Sequence, residues 1–201
     1  MSSRRADLAP ASSGALPPRT PPVVAPAAAV LAAAVGCGLL TARPLLLGIG
    51  RPGPVLTVLF VGLLAVGVLW PAGPHEAPQQ RVLPVLLLGI GAFAVGRVLT
   101  AGSPAVPAAT PFVIAINSLA AVAEEAFFRR LVYGALLAGG PTAALLGSSV
   151  LFAAVHVTVY GAWVLPLDLA AGLVLGWQRQ ATGSWAVPAA THVVANLLVV
   201  L

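Results

Sequence analysis

The sequence predicts an all-α fold, a polytopic transmembrane helical bundle of about seven membrane helices with its chemically active core in the last four. Three observations carry this. The chain is 59% hydrophobic with mean hydropathy +1.01, against about 45–50% apolar for a soluble domain. Only 7% of its residues are charged, against about 25% in such domains. Apolar runs of roughly 18–22 residues recur along it, each long enough to cross a bilayer as a helix.

Residues 1–22 are rich in Ser, Pro, Ala and Arg without apolar periodicity, and read as a disordered cytoplasmic tail. The first apolar run covers 23–42 and stops at Arg43-Pro44. A signal-peptide reading is available at Ala34-Val35-Gly36-Cys37. However, the leucine usual three residues before such a cysteine is missing and the preceding tail is long. Further spans are expected at 54–71 and 82–101, separated by a polar loop in which His75 is solvated. After an uncharged Pro/Ala/Ser loop at 102–110, a long helix over 111–138 breaks at Gly139-Gly140-Pro141. Three more spans follow at 142–159, 162–178 and 184–201. The organisation expected is therefore a tail (1–22), N-terminal transmembrane helices (23–105) and a core region (106–201).

Charge placement orients the bundle. With the N-terminus cytoplasmic, Arg4, Arg5, Arg19, Arg81, Arg129, Arg130 and Arg179 fall on or near the inner side, and Arg43 and Arg51 outside. Trp70, Trp177 and Trp185 then lie near the inner interface, and Tyr160 and Trp163 near the outer. This implies a multi-pass protein of the plasma membrane. The net charge of +5 comes from dispersed arginines, which excludes a nucleic-acid surface and leaves the bilayer as the partner. The single Cys37 excludes an intramolecular disulfide and a cysteine metal cluster. Arg97 and Asp168, both intramembrane, are expected to pair and hold the third and sixth helices together; the alternative is a snorkelling Arg97 and an Asp168 lining a wet cavity.

The fourth span contains Glu124-Glu125-Ala126-Phe127-Phe128-Arg129. From Phe112 to Val132, ten strong apolar residues each favour insertion by about 0.3–0.6 kcal/mol. Four ionised side chains (Glu124, Glu125, Arg129, Arg130) each oppose it by about 2.5–3.5 kcal/mol at mid-membrane. Such a cluster must be paired, interfacial or beside a wet cavity, and marks a functional site. Two more polar groups follow, His156 after Phe152 and His192 before Asn196. Glu124 lies sixteen residues before Gly140 and His156 sixteen after it. In antiparallel helices both therefore sit about 24 Å from the turn, at about 1.5 Å per residue. His192 and Asn196 share a helix face, as do Glu125 and Arg129. Pro188 is expected to kink the last helix.

A carboxylate facing an imidazole can hold and deprotonate one water. A second histidine with an asparagine one turn on can donate hydrogen bonds to an oxyanion. Together these describe hydrolysis of an acyl bond such as a peptide, with Arg129 pairing Glu125. A zinc site of Glu124, His156 and His192 is the alternative chemistry for these types. Against it, no His-Glu-x-x-His spacing occurs, and Asn196 suits hydrogen bonding better than ligation. Asn117 and Ser118 read as helix-packing residues; Phe152 is either beside the site or an ordinary core or lipid-facing ring.

Glu-Glu-x-x-x-Arg, Phe-x-x-x-His and His-x-x-x-Asn on successive helices resemble the CPBP family. These are the CAAX-processing and bacteriocin-processing (Abi) intramembrane proteases, including type II CAAX prenyl endopeptidases. The resemblance covers residues 110–201. It implies an intramembrane endopeptidase cutting a membrane-associated or lipidated peptide or protein near the cytoplasmic face. It further implies that Glu124 activates water with His156, that His192 and Asn196 form the oxyanion hole, and that Glu125 and Arg129 support them. The implied mechanism is glutamate-dependent with no cofactor, zinc being the alternative. Two other functions fit a polar-cored bundle. One is a non-proteolytic scaffold or bacteriocin-immunity-type protein on the same fold, for which an intact water-activating pair has no purpose. The other is a proton-coupled transporter, for which no duplicated half with interrupted helices is visible.

Overall fold

The computed structural model describes residues 26–71, 78, 80–99 and 109–201. The expected tail (1–22), His75 and most of the 102–110 loop lie outside the described residues. Every regular element described is helical: α1 (Pro26–Thr41), α2 (Arg43–Leu47), α3 (Pro52–Leu69), α4 (Val82–Leu99), α5 (Pro111–Glu125), α6 (Tyr133–Leu136), α7 (Pro141–Tyr160), α8 (Leu165–Thr182) and α9 (Ala186–Val200). A π-helical segment, Ala126–Val132, joins α5 to α6, so that Pro111–Gly139 forms one continuous helical rod.

Proline and glycine set the boundaries. A proline stands in the first or second position of α2, α3, α5, α7 and α8, where its missing N–H is no loss and its φ is already helical. Thr110 caps α5 by accepting from the Val113 amide at 3.2 Å. Gly140 (φ +93°) and Gly161 (φ +89°) make the turns before and after α7 in conformations that a side chain would strain. The break expected at Gly139-Gly140-Pro141 is therefore where the rod ends. Two expectations change. The sixth helix begins after a 3₁₀ turn at Ala162–Val164 and runs on to Thr182. Pro188 lies in the first turn of α9, where no interior hydrogen bond is lost, so it starts the helix and gives no cause for a kink.

Among the described residues, four helical rods are long and apolar enough to cross a membrane: Pro52–Leu69, Val82–Leu99, Pro111–Gly139 and Pro141–Tyr160. Ala27–Thr41 and Ala186–Val200 are shorter apolar helices, and α8 carries Asp168, Gln178 and Arg179. Length and composition thus support four crossings directly, against the seven expected. The outward surface is apolar: Val58, Val61 and Leu69 on α3 and Leu83, Leu87, Leu88 and Val95 on α4 are exposed. The interior holds Glu124, Glu125, Arg129, His156, Gln178 and His192. Apolar outside and polar within is the arrangement a bilayer solvent selects.

Successive long helices run antiparallel. One end of the bundle gathers the C-termini of α1, α7 and α9 with the N-termini of α3 and α5. The Thr158 hydroxyl donates to the Thr41 carbonyl there at 2.9 Å. The central rod packs on α3 and α9, while α7 lies against α8 and α1. Its core residues Phe127, Phe128, Leu131 and Val132 meet Leu40, Phe60, Leu63, Phe152, Val155 and Leu175. Small residues let backbones approach. A Cβ on Gly67 of α3 would lie 2.6 Å from the Ala126 carbonyl carbon, at the start of the π segment. Replacing Gly67 by alanine should push α3 off the central rod and destabilise the protein by about 1–3 kcal/mol, read as a lower midpoint in thermal unfolding followed by tryptophan fluorescence in detergent.

Candidate active site

Neighbouring residues on a helix point about 100° apart, so Glu124 and Glu125 face different partners. Glu125 turns inward. Its carboxylate lies 3.2 Å from Arg129 Nε, one turn on, with both side chains fully buried. The Arg129 guanidinium also donates to the Gly172 carbonyl (3.2 Å) on α8 and to Ser148 Oγ (3.4 Å) on α7. It stands over the Phe152 ring at 5.2 Å. Gly172 can be reached because α7 and α8 nearly touch: a Cβ there would be 3.1 Å from Ser149 Cα. Glu125 Oε1 also binds His192 Nδ1 at 3.0 Å. The expected Glu125–Arg129 support is thus part of a buried network joining the central rod to α7, α8 and α9.

Glu124 faces the other way, towards α1, α2 and α7. Its Oε2 is 3.7 Å from His156 Nε2, and its Oε1 accepts a hydrogen bond from Arg43 Nη1 at 3.0 Å. The equal depth expected for Glu124 and His156 follows from the antiparallel pairing of the rod with α7. His156 Nδ1 is 2.7 Å from the Phe152 carbonyl. A carbonyl only accepts, so Nδ1 carries the proton and a neutral His156 offers its Nε2 lone pair towards Glu124. For His192 the carboxylate of Glu125 plays the same part, fixing the proton on Nδ1 and turning Nε2 away from Glu125.

Glu124, His156, His192 and Asn196 all line one cavity of about 220 Å³. Arg43, Asn117 and Tyr160 complete its polar wall, and Leu47, Leu56, Phe60, Ile116 and Val159 its apolar wall. Tyr160 and Leu47 are exposed residues. Asn196 Nδ2 donates to the Asn117 carbonyl at 3.1 Å, which leaves its second N–H for another acceptor. Phe152 is buried and lies beside both histidines, its ring centroid 4.6 Å from His156 and 5.7 Å from His192. It is at once a core residue and a neighbour of the two histidines, and it does not face lipid.

The structure departs from the sequence reading at Arg43 and Asp168. Arg43, counted outside as a topological charge, is buried and paired with Glu124. The chain turns at Ala42 between α1 and α2, and this swings the side chain inward. The only trace in the sequence is an arginine placed directly before a helix-starting proline. The Arg97–Asp168 pair is not formed. Arg97 Nε donates to the Leu198 carbonyl at 3.2 Å, and Asp168 Oδ2 is buried without a hydrogen-bond partner among the described residues. Tyr160, which no spacing singled out, stacks on His156 at 6.0 Å with 9° between the rings.

Among the described residues no three His, Cys, Asp or Glu side chains are grouped to hold a metal ion. The Arg43 cation against Glu124 also opposes a second positive charge there.

Residues 106–198 match the family profile for type II CAAX prenyl endopeptidase Rce1-like proteins. Over these residues the chain is similar to the CPBP family of CAAX proteases. The matched stretch contains all three polar motifs and begins after α4, so Arg43 and the helices before it lie outside the family match. No curated protein and no solved structure matches the chain. For the matched region, the Glu125–Arg129 network should dominate stability. Arg129→Ala leaves a buried carboxylate without its cation and should cost about 3–5 kcal/mol, measured by thermal unfolding in detergent. Arg129→Lys, which keeps the charge but loses the planar fork, should recover part of that loss.

Proposed function

We propose that the chain is an intramembrane endopeptidase that hydrolyses a peptide bond of a membrane-associated or lipidated peptide, with Glu124 and His156 activating the water. The observation that carries this reading is the 3.7 Å approach of Glu124 Oε2 to His156 Nε2 in the cavity that His192 and Asn196 also line. Both atoms are proton acceptors when His156 is neutral. A water about 2.8 Å from each would subtend about 80° and donate one proton to each, leaving a lone pair for the substrate carbonyl. As its oxygen bonds to the carbonyl carbon, a proton passes to Glu124 and the carbonyl oxygen takes the negative charge. His192 Nε2 and the second N–H of Asn196 are the donors available to that oxyanion. Because Nδ1–H of His192 is committed to Glu125, donation from Nε2 requires the imidazolium, with the Glu125 carboxylate balancing its charge. Collapse breaks the C–N bond, and the proton taken up by Glu124 goes to the leaving amine. No metal has a part in this reading.

The sidedness of the reaction follows from the cavity's place in the bundle. Its lining comes from α2, the first halves of α3 and of the Pro111–Gly139 rod, the last turns of α7 and the middle turns of α9, all towards the end that α1 reaches with its C-terminus. Arg43 and Arg129 are neutralised inside the protein. Of the other arginines among the described residues, Arg51 and Arg97 lie towards the cavity end, and Arg81, Arg130 and Arg179 towards the opposite end. The positive-inside bias still favours a cytoplasmic start of α1. The cavity then belongs to the outer half of the membrane, and a cut near the cytoplasmic face does not fit a cytoplasmic N-terminus.

Glu124→Gln should lower cleavage of a lipidated fluorogenic peptide at least about 100-fold, and a strong chelator should leave wild-type cleavage unchanged; chelator-sensitive cleavage would return zinc to the site. For sidedness, Cys37→Ala proteins carrying Gly50→Cys or Gly139→Cys can be treated with a membrane-impermeant maleimide in intact cells. Labelling at position 50 alone is expected, and labelling at position 139 alone would turn the cavity to the cytoplasm.

A further inference from the structure

Arg43 has more hydrogen-bonding capacity than the protein uses. Its Nε donates to the Leu40 carbonyl at 3.1 Å and its Nη1 to Glu124 at 3.0 Å. The third nitrogen, Nη2, is buried without a hydrogen-bond partner among the described residues. The side chain is only 8% exposed and forms part of the cavity wall. A buried guanidinium donor left without an acceptor is costly, and such groups mark places where a ligand completes the site. Leu47, Leu56, Phe60 and Ile116 supply apolar wall to the same cavity. A charged hydrogen bond made there is weakly screened by water.

We propose that Arg43 is a carboxylate-binding residue of the cavity, its Nη2 receiving a carboxylate of the peptide substrate while its Nη1 holds Glu124. This deepens the peptidase reading and rests on it. Arginine suits the task because its planar, permanently charged fork can serve two acceptors at once in fixed geometry. The geometry also limits the substrate. Nη2 belongs to the same guanidinium whose Nη1 touches Glu124, so the bound carboxylate falls within about one to two residues of the attacked bond, at about 3.3–3.6 Å per extended residue. It is either the peptide's own C-terminus or an Asp or Glu side chain close to the cut. In both cases a cation seated next to the water-activating carboxylate sets which bond is presented.

The test uses the full chain in detergent with lipidated fluorogenic peptides in four forms: a free C-terminal acid, the C-terminal amide, and each of these with an Asp near the cut replaced by Asn. For wild type, neutralising the recognised carboxylate should lower kcat/KM about tenfold or more, mainly through KM. Loss on amidation identifies the C-terminus, and loss on Asp-to-Asn exchange identifies the side chain. Arg43→Gln should abolish the preference and Arg43→Lys should keep part of it. Equal cleavage of all four forms by wild type, or an unchanged preference in Arg43→Gln, would overturn the proposal while leaving the peptidase reading intact.

A binding arm separates the two further. Glu124→Gln, which retains Arg43, should be thermally stabilised by the acid form and not by the fully neutral form. Arg43→Gln/Glu124→Gln, which removes both members of the buried pair and so leaves no lone charge, should be stabilised by neither. Absence of cleavage in every protein would count against the peptidase reading. Absence of this acid-specific stabilisation would count against the Arg43 subsite.

Discussion

The arrangement depends on one fully buried ion pair, Glu125 with Arg129. Neither charge can be left alone in an interior that faces lipid, because an unpaired buried ion costs several kcal/mol. The pair lies within one helix, at the junction of α5 and the π segment, and is present as soon as that helix forms. The remaining hydrogen-bonding demand of the two groups then reaches outward. Arg129 takes the Gly172 carbonyl and the Ser148 hydroxyl, and Glu125 takes His192. Three neighbouring helices are thereby drawn to one point. Buried ionic networks of this kind add little net stability over an apolar core, but they penalise every packing that breaks them. Here the packing they single out is the one that assembles the cavity.

Glu124 inherits its position from this constraint. One residue earlier and about 100° around the helix, it is directed away from the Glu125 network and towards α1, α2 and α7. There it finds His156 on one oxygen and Arg43 on the other. Two adjacent glutamates therefore do different work, one tying helices together and one facing the cavity. The π segment begins immediately after them. Local π geometry is frequent at functional sites, and here it coincides with the closest approach of α3, whose Gly67 meets the Ala126 backbone. Arg130 strengthens that contact by donating to the Gly67 and Val68 carbonyls at the end of α3.

The second layer of the site is mostly backbone and aromatic. The Phe152 carbonyl sets the tautomer of His156, and the Phe152 ring separates His156 from Arg129 and borders His192. Farther out, the Gln178 amide donates to the Val85 carbonyl and to Thr191 Oγ1, the residue before His192. It thereby joins α4, α8 and α9 beneath the site. None of these groups touches the cavity's chemistry directly, yet each limits how a reacting side chain can turn.

The helical class, the positions of the helical stretches and the six motif residues were legible in the sequence. They depend on local signals: apolar run length, proline and glycine punctuation, and i,i+4 spacing within one helix. The meeting of Glu124 with His156 was legible too, because a single tight turn joins their helices and depth follows from counting residues. The tertiary structure alone decided what Arg43 does. It lies 81 residues from Glu124 on a helix outside the family match, and no periodicity links positions on helices that are not joined by a short turn. Asp168 went the same way: the sequence leaves open whether it meets Arg97, and only the packed bundle shows Arg97 donating to the Leu198 carbonyl instead. Within a helix the backbone dictates which residues meet. Between distant helices the choice belongs to the global packing of buried charge and shape.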